Sequence, residues 1–136
     1  MKYNWEDEWA EFKGLNFFGK RLSAAEKKAI KKTLNTIKLS REAKIIDIGC
    51  GSGTLLYFIK SLGYQNIIGV DVSQSAMNLC KNFGLVQGRD VFLMDILTGD
   101  FGSGEFDLVF SAGMLEHFEN MTPFVEKMSK ISNNYV

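Results

Sequence analysis

The sequence predicts an α/β protein with a doubly wound parallel sheet and helices on both faces of that sheet. Short segments rich in β-branched residues alternate with helical patterns along most of the chain. Several of these segments end at a glycine or an aspartate. Because parallel neighbouring strands require a crossover, and right-handed crossovers put helices on both faces, the alternation favours a doubly wound sheet.

Composition limits the possible partners and compartments. The 136 residues are 46% hydrophobic and 24% charged, as in one ordinary domain with a sizeable core. Sixteen basic residues balance sixteen acidic ones, so no net charge indicates a nucleic-acid partner. No apolar run approaches the roughly 20 residues of a membrane span, and we expect a cytoplasmic protein. Cys50 and Cys80 lack further ligands at metal-binding spacing, which predicts reduced thiols and no metal site.

Residues 1–40 are expected to form an N-terminal lid or cap. The first twenty residues mix acidic side chains with aromatic ones such as Trp5 and Phe17, and are too aromatic for a solvated tail. A helix is predicted over residues 22–38, where apolar residues recur at helical spacing. Ser23 can cap this helix, with Glu26 three positions later. Its lysines indicate a solvated face rather than a site.

Residues 41–136 are expected to form a second unit that carries the sheet. The last helix is predicted to begin at Thr122 as its cap, because Pro123 suits the first helical turn. After it, the chain is expected to make a turn and the first step of a fifth strand. The patterns predict strands at 44–48, 66–70, 91–94 and 106–110, and helices at 54–62, 73–83 and 122–132.

The glycine loop after the first strand is the first candidate for ligand binding, because doubly wound sheets bind ligands at the carboxyl ends of their strands. Gly49, Gly51 and Gly53 allow a tight turn and a close approach of backbone to a ligand. A dinucleotide-binding fingerprint would place another glycine at Thr54. Asp47 inside the first strand also departs from the apolar strand usual before such a loop.

Acidic residues follow the second and third strands. Asp71 can accept hydrogen bonds from both hydroxyls of a ribose, which NAD and S-adenosylmethionine both contain. Asp95 can accept from the exocyclic amine of adenine, and the apolar Val72 and Ile96 can enclose the ring. Either carboxylate alone is more often a turn or cap residue, but their positions after successive strands favour a nucleoside site.

These motifs together resemble the class I S-adenosylmethionine-dependent methyltransferases of the small-molecule type, in particular the ubiquinone-biosynthesis group. The resemblance implies a Rossmann-like fold, S-adenosylmethionine as methyl donor, S-adenosylhomocysteine as product and a small-molecule acceptor. The segments that carry it are residues 45–53, 68–73, 93–95, 106–111 and 115–117.

Individual residues receive roles, His117 from its position in the chain and the cofactor residues from the resemblance. His117, the sole histidine, follows the fourth strand and could act as a base, although a structural role is more common for such a histidine. For cofactor binding, the family pattern implies the methionine part at Asp47, Gly49, Cys50, Gly51 and Gly53, the ribose at Asp71, the adenine at Val72, Asp95 and Ile96, and the amino group near the Ser111 backbone.

The family pattern has seven strands in the order 3-2-1-4-5-7-6, whereas this sequence predicts a partial sheet of order 3-2-1-4 with the later strands missing. The fourth strand would then be an exposed apolar edge, through which the chain could form a homo-oligomer. Two alternatives stay open: a fragment that binds the cofactor without turnover, and an NAD-type nucleotide-binding protein.

Overall fold

The computed structural model describes residues 4–11 and 22–136. Phe17, part of the predicted lid, lies outside these residues. Within the described ranges no helix is both long enough and apolar enough to cross a bilayer. The helices are α1 (Trp5–Glu11), α2 (Ala24–Thr36), α3 (Thr54–Ser61), α4 (Gln74–Cys80) and α5 (Thr122–Ile131), and the strands are β1 (Ile45–Ile48), β2 (Ile67–Asp71), β3 (Val91–Leu93), β4 (Phe106–Phe110) and β5 (Ser132–Tyr135).

The strands form one parallel sheet in the order β3-β2-β1-β4-β5. All four residues of β1 are buried, as expected for a central strand covered on both faces. Ile45 belongs to a core that contains Leu56 of α3 and Met77 of α4. Ile46 belongs to a second core, with Phe124 of α5. The doubly wound sheet with the order 3-2-1-4 is therefore confirmed, and a fifth strand extends it.

The predicted start of α2 is confirmed by a complete capping box. The Ser23 hydroxyl accepts from the Glu26 amide at 3.1 Å, and the Glu26 carboxylate accepts from the Ser23 amide at 2.7 Å. These two bonds satisfy backbone donors that the first helical turn leaves without partners. Leu34 alone among the α2 residues is buried, so the helix packs on the core along a narrow stripe.

The expectation that the fourth strand would be an exposed edge was wrong. β5 begins directly where α5 ends and pairs in parallel with β4, with Phe106 opposite Ser132 and Leu108 opposite Tyr135. Its polar sequence Ser-Asn-Asn-Tyr has no strand pattern of its own. Backbone pairing with β4 therefore determines its conformation, and Val109 in the middle of β4 is fully buried.

The expected cap of α5 also needs correction. Met121, not Thr122, occupies the N-cap position of this helix. The side chain of Asn120 accepts from the Thr122 amide at 3.0 Å and so replaces the cap that we expected from threonine. Pro123 lies in the first turn, as predicted.

Asp90 anchors the start of β3 to α3. Its carboxylate accepts from the Lys60 ammonium and the Val86 amide, each at 2.8 Å, and from the Arg89 guanidinium at 2.7 Å. The side chain is almost completely buried, and burial alone would raise its pKa. The hydrogen bonds from Arg89, Lys60 and Val86 outweigh that effect and lower the pKa of Asp90 below its usual range.

We predict that this carboxylate makes stability depend on acid pH. The unfolded chain binds a proton at Asp90 near pH 4, whereas the folded chain resists protonation, so stability is full above that pH and decreases as the pH falls further. Asp90→Asn should lower the free energy of unfolding by about 1–3 kcal/mol at pH 7, with a smaller loss at pH 3. Urea unfolding at both pH values tests this, with the exposed Asp100→Asn as control. Equal losses at the two pH values would contradict the prediction.

Candidate functional site

A cavity of about 540 Å³ opens at the carboxyl ends of β1, β2 and β4. This is the edge of the sheet where strand order reverses, and where ligands of doubly wound proteins bind. Of the predicted cofactor residues, six line the cavity: Gly49, Cys50, Gly51, Asp71, Val72 and Ile96. The structure also brings Trp5 and Trp9 of α1 and Met94 and Met114 of neighbouring loops to its wall.

The loop between β1 and α3 requires glycine because its backbone has positive φ angles and because neighbouring side chains leave no room for a Cβ atom. Gly49, Gly51 and Gly53 have φ values of 75°, 53° and 78°, in the left-handed region that side chains disfavour. A Cβ atom on Gly51 would lie 2.4 Å from the Trp9 ring, and one on Gly53 would lie 2.5 Å from Leu85. The loop therefore packs tightly against α1 on one side and against the core on the other.

Asp71 closes the floor of the cavity by joining two loops. One carboxylate oxygen accepts from the Gly51 amide at 2.9 Å, and the other accepts from the Ser73 amide at 3.0 Å. Burial raises the pKa of Asp71, and these backbone hydrogen bonds oppose the rise. The arrangement presents a buried acceptor group at the end of β2, beside the glycine loop.

Asp47 lies behind the glycine loop and not on the cavity wall. Its side chain is 2% exposed. Burial, followed by the charge of Asp71, raises the pKa of Asp47 to about 8. At neutral pH this carboxyl group is therefore mostly protonated, and it stands one strand away from a second buried carboxyl group.

Three other predicted residues also lie off the cavity wall in the part of the chain that the structure describes. Gly53 begins α3, facing the core. Asp95 is exposed and accepts from the Leu97 amide at 2.8 Å, which shapes the turn after β3. The Ser111 hydroxyl oxygen is buried with no hydrogen-bond partner among the described residues, directly before the cavity residue Ala112.

His117 lies in a short 3₁₀ turn, Leu115–His117, outside the cavity wall. Its ring meets Trp5 edge to face, with 5.1 Å between the ring centroids and 88° between the planes. This contact connects the segment after β4 to α1. The structure thus places the only histidine next to the N-terminal helix.

Trp5 belongs to the aromatic segment that we expected to act as a lid, whereas Trp9, Glu6, Met94 and Met114 were not assigned to the site from the sequence. The aromatic content of the N-terminus indicated packing, and it was the available signal for the two tryptophans. The methionines follow β3 and β4 in loops whose sequence is not distinctive.

The glycine loop after β1, the buried carboxylate after β2 and the cavity across the strand ends define a nucleoside-binding protein of the doubly wound class. Residues 46–133 match the family model described as a methyltransferase domain. The chain belongs to this family, whose methyl donor is S-adenosylmethionine, and this assignment supersedes the NAD-type alternative.

Curated relatives include a protein-lysine N-methyltransferase of Saccharomyces cerevisiae, 30% identical over 69% of this chain and 44% of the relative. A phosphoethanolamine N-methyltransferase of Plasmodium falciparum is 29% identical over 80% of this chain and 42% of its own length. The chain thus spans less than half the length of each of these two relatives. A ubiquinone biosynthesis O-methyltransferase of Thiobacillus denitrificans is 28% identical over 65% of this chain and 39% of that enzyme.

Solved structures show the same fold. The magnesium protoporphyrin IX methyltransferase of Synechocystis, solved with bound S-adenosylmethionine, superposes with a TM-score of 0.69 at 13% identity, covering 94% of this chain and 70% of that one. A Haemonchus contortus phosphoethanolamine N-methyltransferase, solved with S-adenosylhomocysteine, gives 0.69 at 20% identity, covering 94% and 30%.

We predict that the charge of Asp47 destabilises the ligand-free fold. The unfolded chain releases the Asp47 proton near pH 4, but the folded chain keeps it up to about pH 8. The free energy of unfolding should therefore be highest below pH 4 and should decrease as the pH rises from 4 to 8. Asp47→Asn removes the ionisable group. At pH 8 its free energy of unfolding, measured in urea, should exceed that of wild type by at least about 1.4 kcal/mol, the equivalent of one pKa unit.

The comparison needs a second pH and a matched exposed residue. At pH 4 the advantage of Asp47→Asn should be much smaller. Asp95→Asn, which changes an exposed side chain, should show no such difference between the two pH values. Identical pH profiles for Asp47→Asn and wild type would mean that Asp47 ionises normally.

Proposed function

We propose that this chain binds S-adenosylmethionine in the cavity at the strand ends and serves in methyl transfer to a small-molecule acceptor. The observation that carries the proposal is the buried Asp71 carboxylate, hydrogen-bonded to the Gly51 amide at the floor of a cavity of about 540 Å³. An acceptor-only group beside a glycine loop suits the paired hydroxyls of a ribose. The volume is within the usual range of small-ligand pockets.

The proposed binding roles follow from the placement of the residues. Asp71 accepts from the ribose, and Ile96 and Val72 contact the adenine ring. Gly49, Cys50 and Gly51 bring backbone close to the methionine part. Asp47, Gly53, Asp95 and Ser111 lie just outside the wall, so direct contacts from them stay predictions that require small movements of loops or side chains.

The cofactor supplies an electrophilic methyl group on a sulfonium, and the chain supplies alignment and exclusion of water. Trp5 and Trp9 give the cavity an apolar wall that suits the exclusion of water. Catalysis by His117 stays a prediction, and its contact with Trp5 favours a positioning role.

The proposal also includes three properties of the whole protein: a small-molecule acceptor, methyltransferase activity and a location in the cytoplasm. The acceptors named for the relatives are as different as a protein lysine and phosphoethanolamine. Binding of the cofactor without turnover by this chain is the second candidate, because the chain spans less than half of those two relatives.

The cofactor site can be tested by calorimetry with S-adenosylhomocysteine. Asp71→Ala should weaken binding by about 1–3 kcal/mol, because two ribose hydroxyls lose their acceptor. Asp100→Ala, at an exposed position outside the cavity, is the control and should bind as wild type does. NAD should bind neither protein measurably. Unchanged affinity in a folded Asp71→Ala variant would remove Asp71 from the site.

We also propose self-association through the β5 edge of the sheet. Among the described strands, β5 pairs on one side only, so its backbone groups on the other side can pair with a second copy. The polar side chains of Ser132–Tyr135 provide little apolar burial, and the dimer should therefore be weak. Light scattering over roughly three decades of protein concentration, from about 1 μM to about 1 mM, should show the average molecular mass rising with concentration. A constant monomer mass would contradict this proposal.

A further inference from the structure

The N-terminal helix α1 lies across the cavity and contacts three of its sides. Glu6 meets the start of α4, at the end of β2. Trp5 meets His117 in the segment after β4. Trp9 packs on Gly51 in the loop between these two sides. We call this helix, residues 5–11, the strap.

Glu6 makes the polar anchor of the strap. One carboxylate oxygen accepts from the Ser73 hydroxyl at 2.8 Å, and the other accepts from the Ser75 hydroxyl at 2.5 Å and the Ser75 amide at 3.2 Å. Hydrogen bonds from Ser75 first and Ser73 second lower the pKa of Glu6, which keeps it ionised at neutral pH. Charge-assisted hydrogen bonds of this kind are stronger than neutral ones.

Ser73 connects this anchor to the proposed ribose site. Its hydroxyl oxygen accepts from the Ala76 amide at 3.1 Å, which leaves the single hydroxyl proton for Glu6. Its amide donates to Asp71, which in turn accepts from the Gly51 amide. A continuous run of hydrogen bonds therefore links the strap to the group that we propose binds the ribose.

The strap has few other means of attachment. No residue of α1 is buried, and Trp5 and Trp9 alone in this helix are partly buried. A helix of 7 residues is far too short to be stable without tertiary contacts. Its position over the cavity therefore depends on the two tryptophans and on Glu6.

We propose that Glu6 is a positioning residue that fastens the strap over the cavity, so that Trp5 and Trp9 retain the bound cofactor. The inference rests on the proposed cofactor site and assigns the strap a role in residence time. Loss of the Glu6 carboxylate should release the strap without removing any group that touches the ribose.

The experiment uses the two tryptophans as reporters, because the sequence contains no others. Tryptophan emission, excited at a wavelength that the four tyrosines do not absorb, therefore reports on the strap alone. The dissociation rate constant of S-adenosylhomocysteine is measured by stopped-flow displacement. Glu6→Ala should shift tryptophan emission to the red and increase the dissociation rate constant on the order of tenfold, the effect of losing hydrogen bonds to a charged group.

The matched control is Glu8→Ala, which removes the same charge from an exposed position of the same helix. It should keep the wild-type emission and dissociation rate. Ser75→Ala should reproduce part of the Glu6→Ala effect, and the double variant should dissociate no faster than Glu6→Ala alone, since both changes remove one interaction.

The outcomes separate this proposal from the cofactor site. A wild-type rate or slower dissociation in Glu6→Ala, with binding retained, overturns the retaining role of the strap and leaves the site intact. A red shift without faster dissociation overturns it equally, because the strap would then move without affecting retention. Failure of the folded wild-type chain to bind S-adenosylhomocysteine overturns both proposals together.

Discussion

The hydrogen bond from the Gly51 amide to the Asp71 carboxylate is the contact on which the geometry of the site depends. It joins the loop after β1 to the end of β2, and these neighbours in the sheet lie in fixed register, with Ile48 opposite Val70. The Gly49 and Cys50 amides both donate to the Val70 carbonyl and hold the loop from its other end. The cavity is thus rigid where it meets the carboxylate.

Much of the fold could be predicted because buried parallel strands have a distinctive composition. β1 and β2 are rich in isoleucine and valine, β4 is rich in phenylalanine and aliphatic residues, and the predicted bounds of β4 match the structure. β5 could not be predicted as a full strand, since its Ser-Asn-Asn-Tyr sequence becomes a strand only through pairing with β4. The α5 cap was misassigned because Asn120 provides the oxygen that a threonine cap would have provided.

The site residues that could be predicted from the sequence are those whose role depends on local backbone geometry. Positive φ angles explain the glycines, and the end of β2 explains the position of Asp71. The partners of Glu6 lie 67 and 69 residues away, and no spacing rule relates such distant positions. The exposed orientation of Asp95 was likewise unreadable, because a residue after a strand can face the ligand or solvent.

The burial of Asp47 beside Asp71 has a consequence for engineering the thermal stability of this chain. Ionisation of the buried Asp47 opposes folding, so a neutral replacement at position 47 would raise the free energy of unfolding. Asp71 differs, because its carboxylate accepts from the Gly51 and Ser73 amides, and a residue without an acceptor there would leave these donors unpaired. Asp47 thus lowers the stability of the fold while Asp71 supports it, so directed evolution toward heat resistance is expected to change position 47 first.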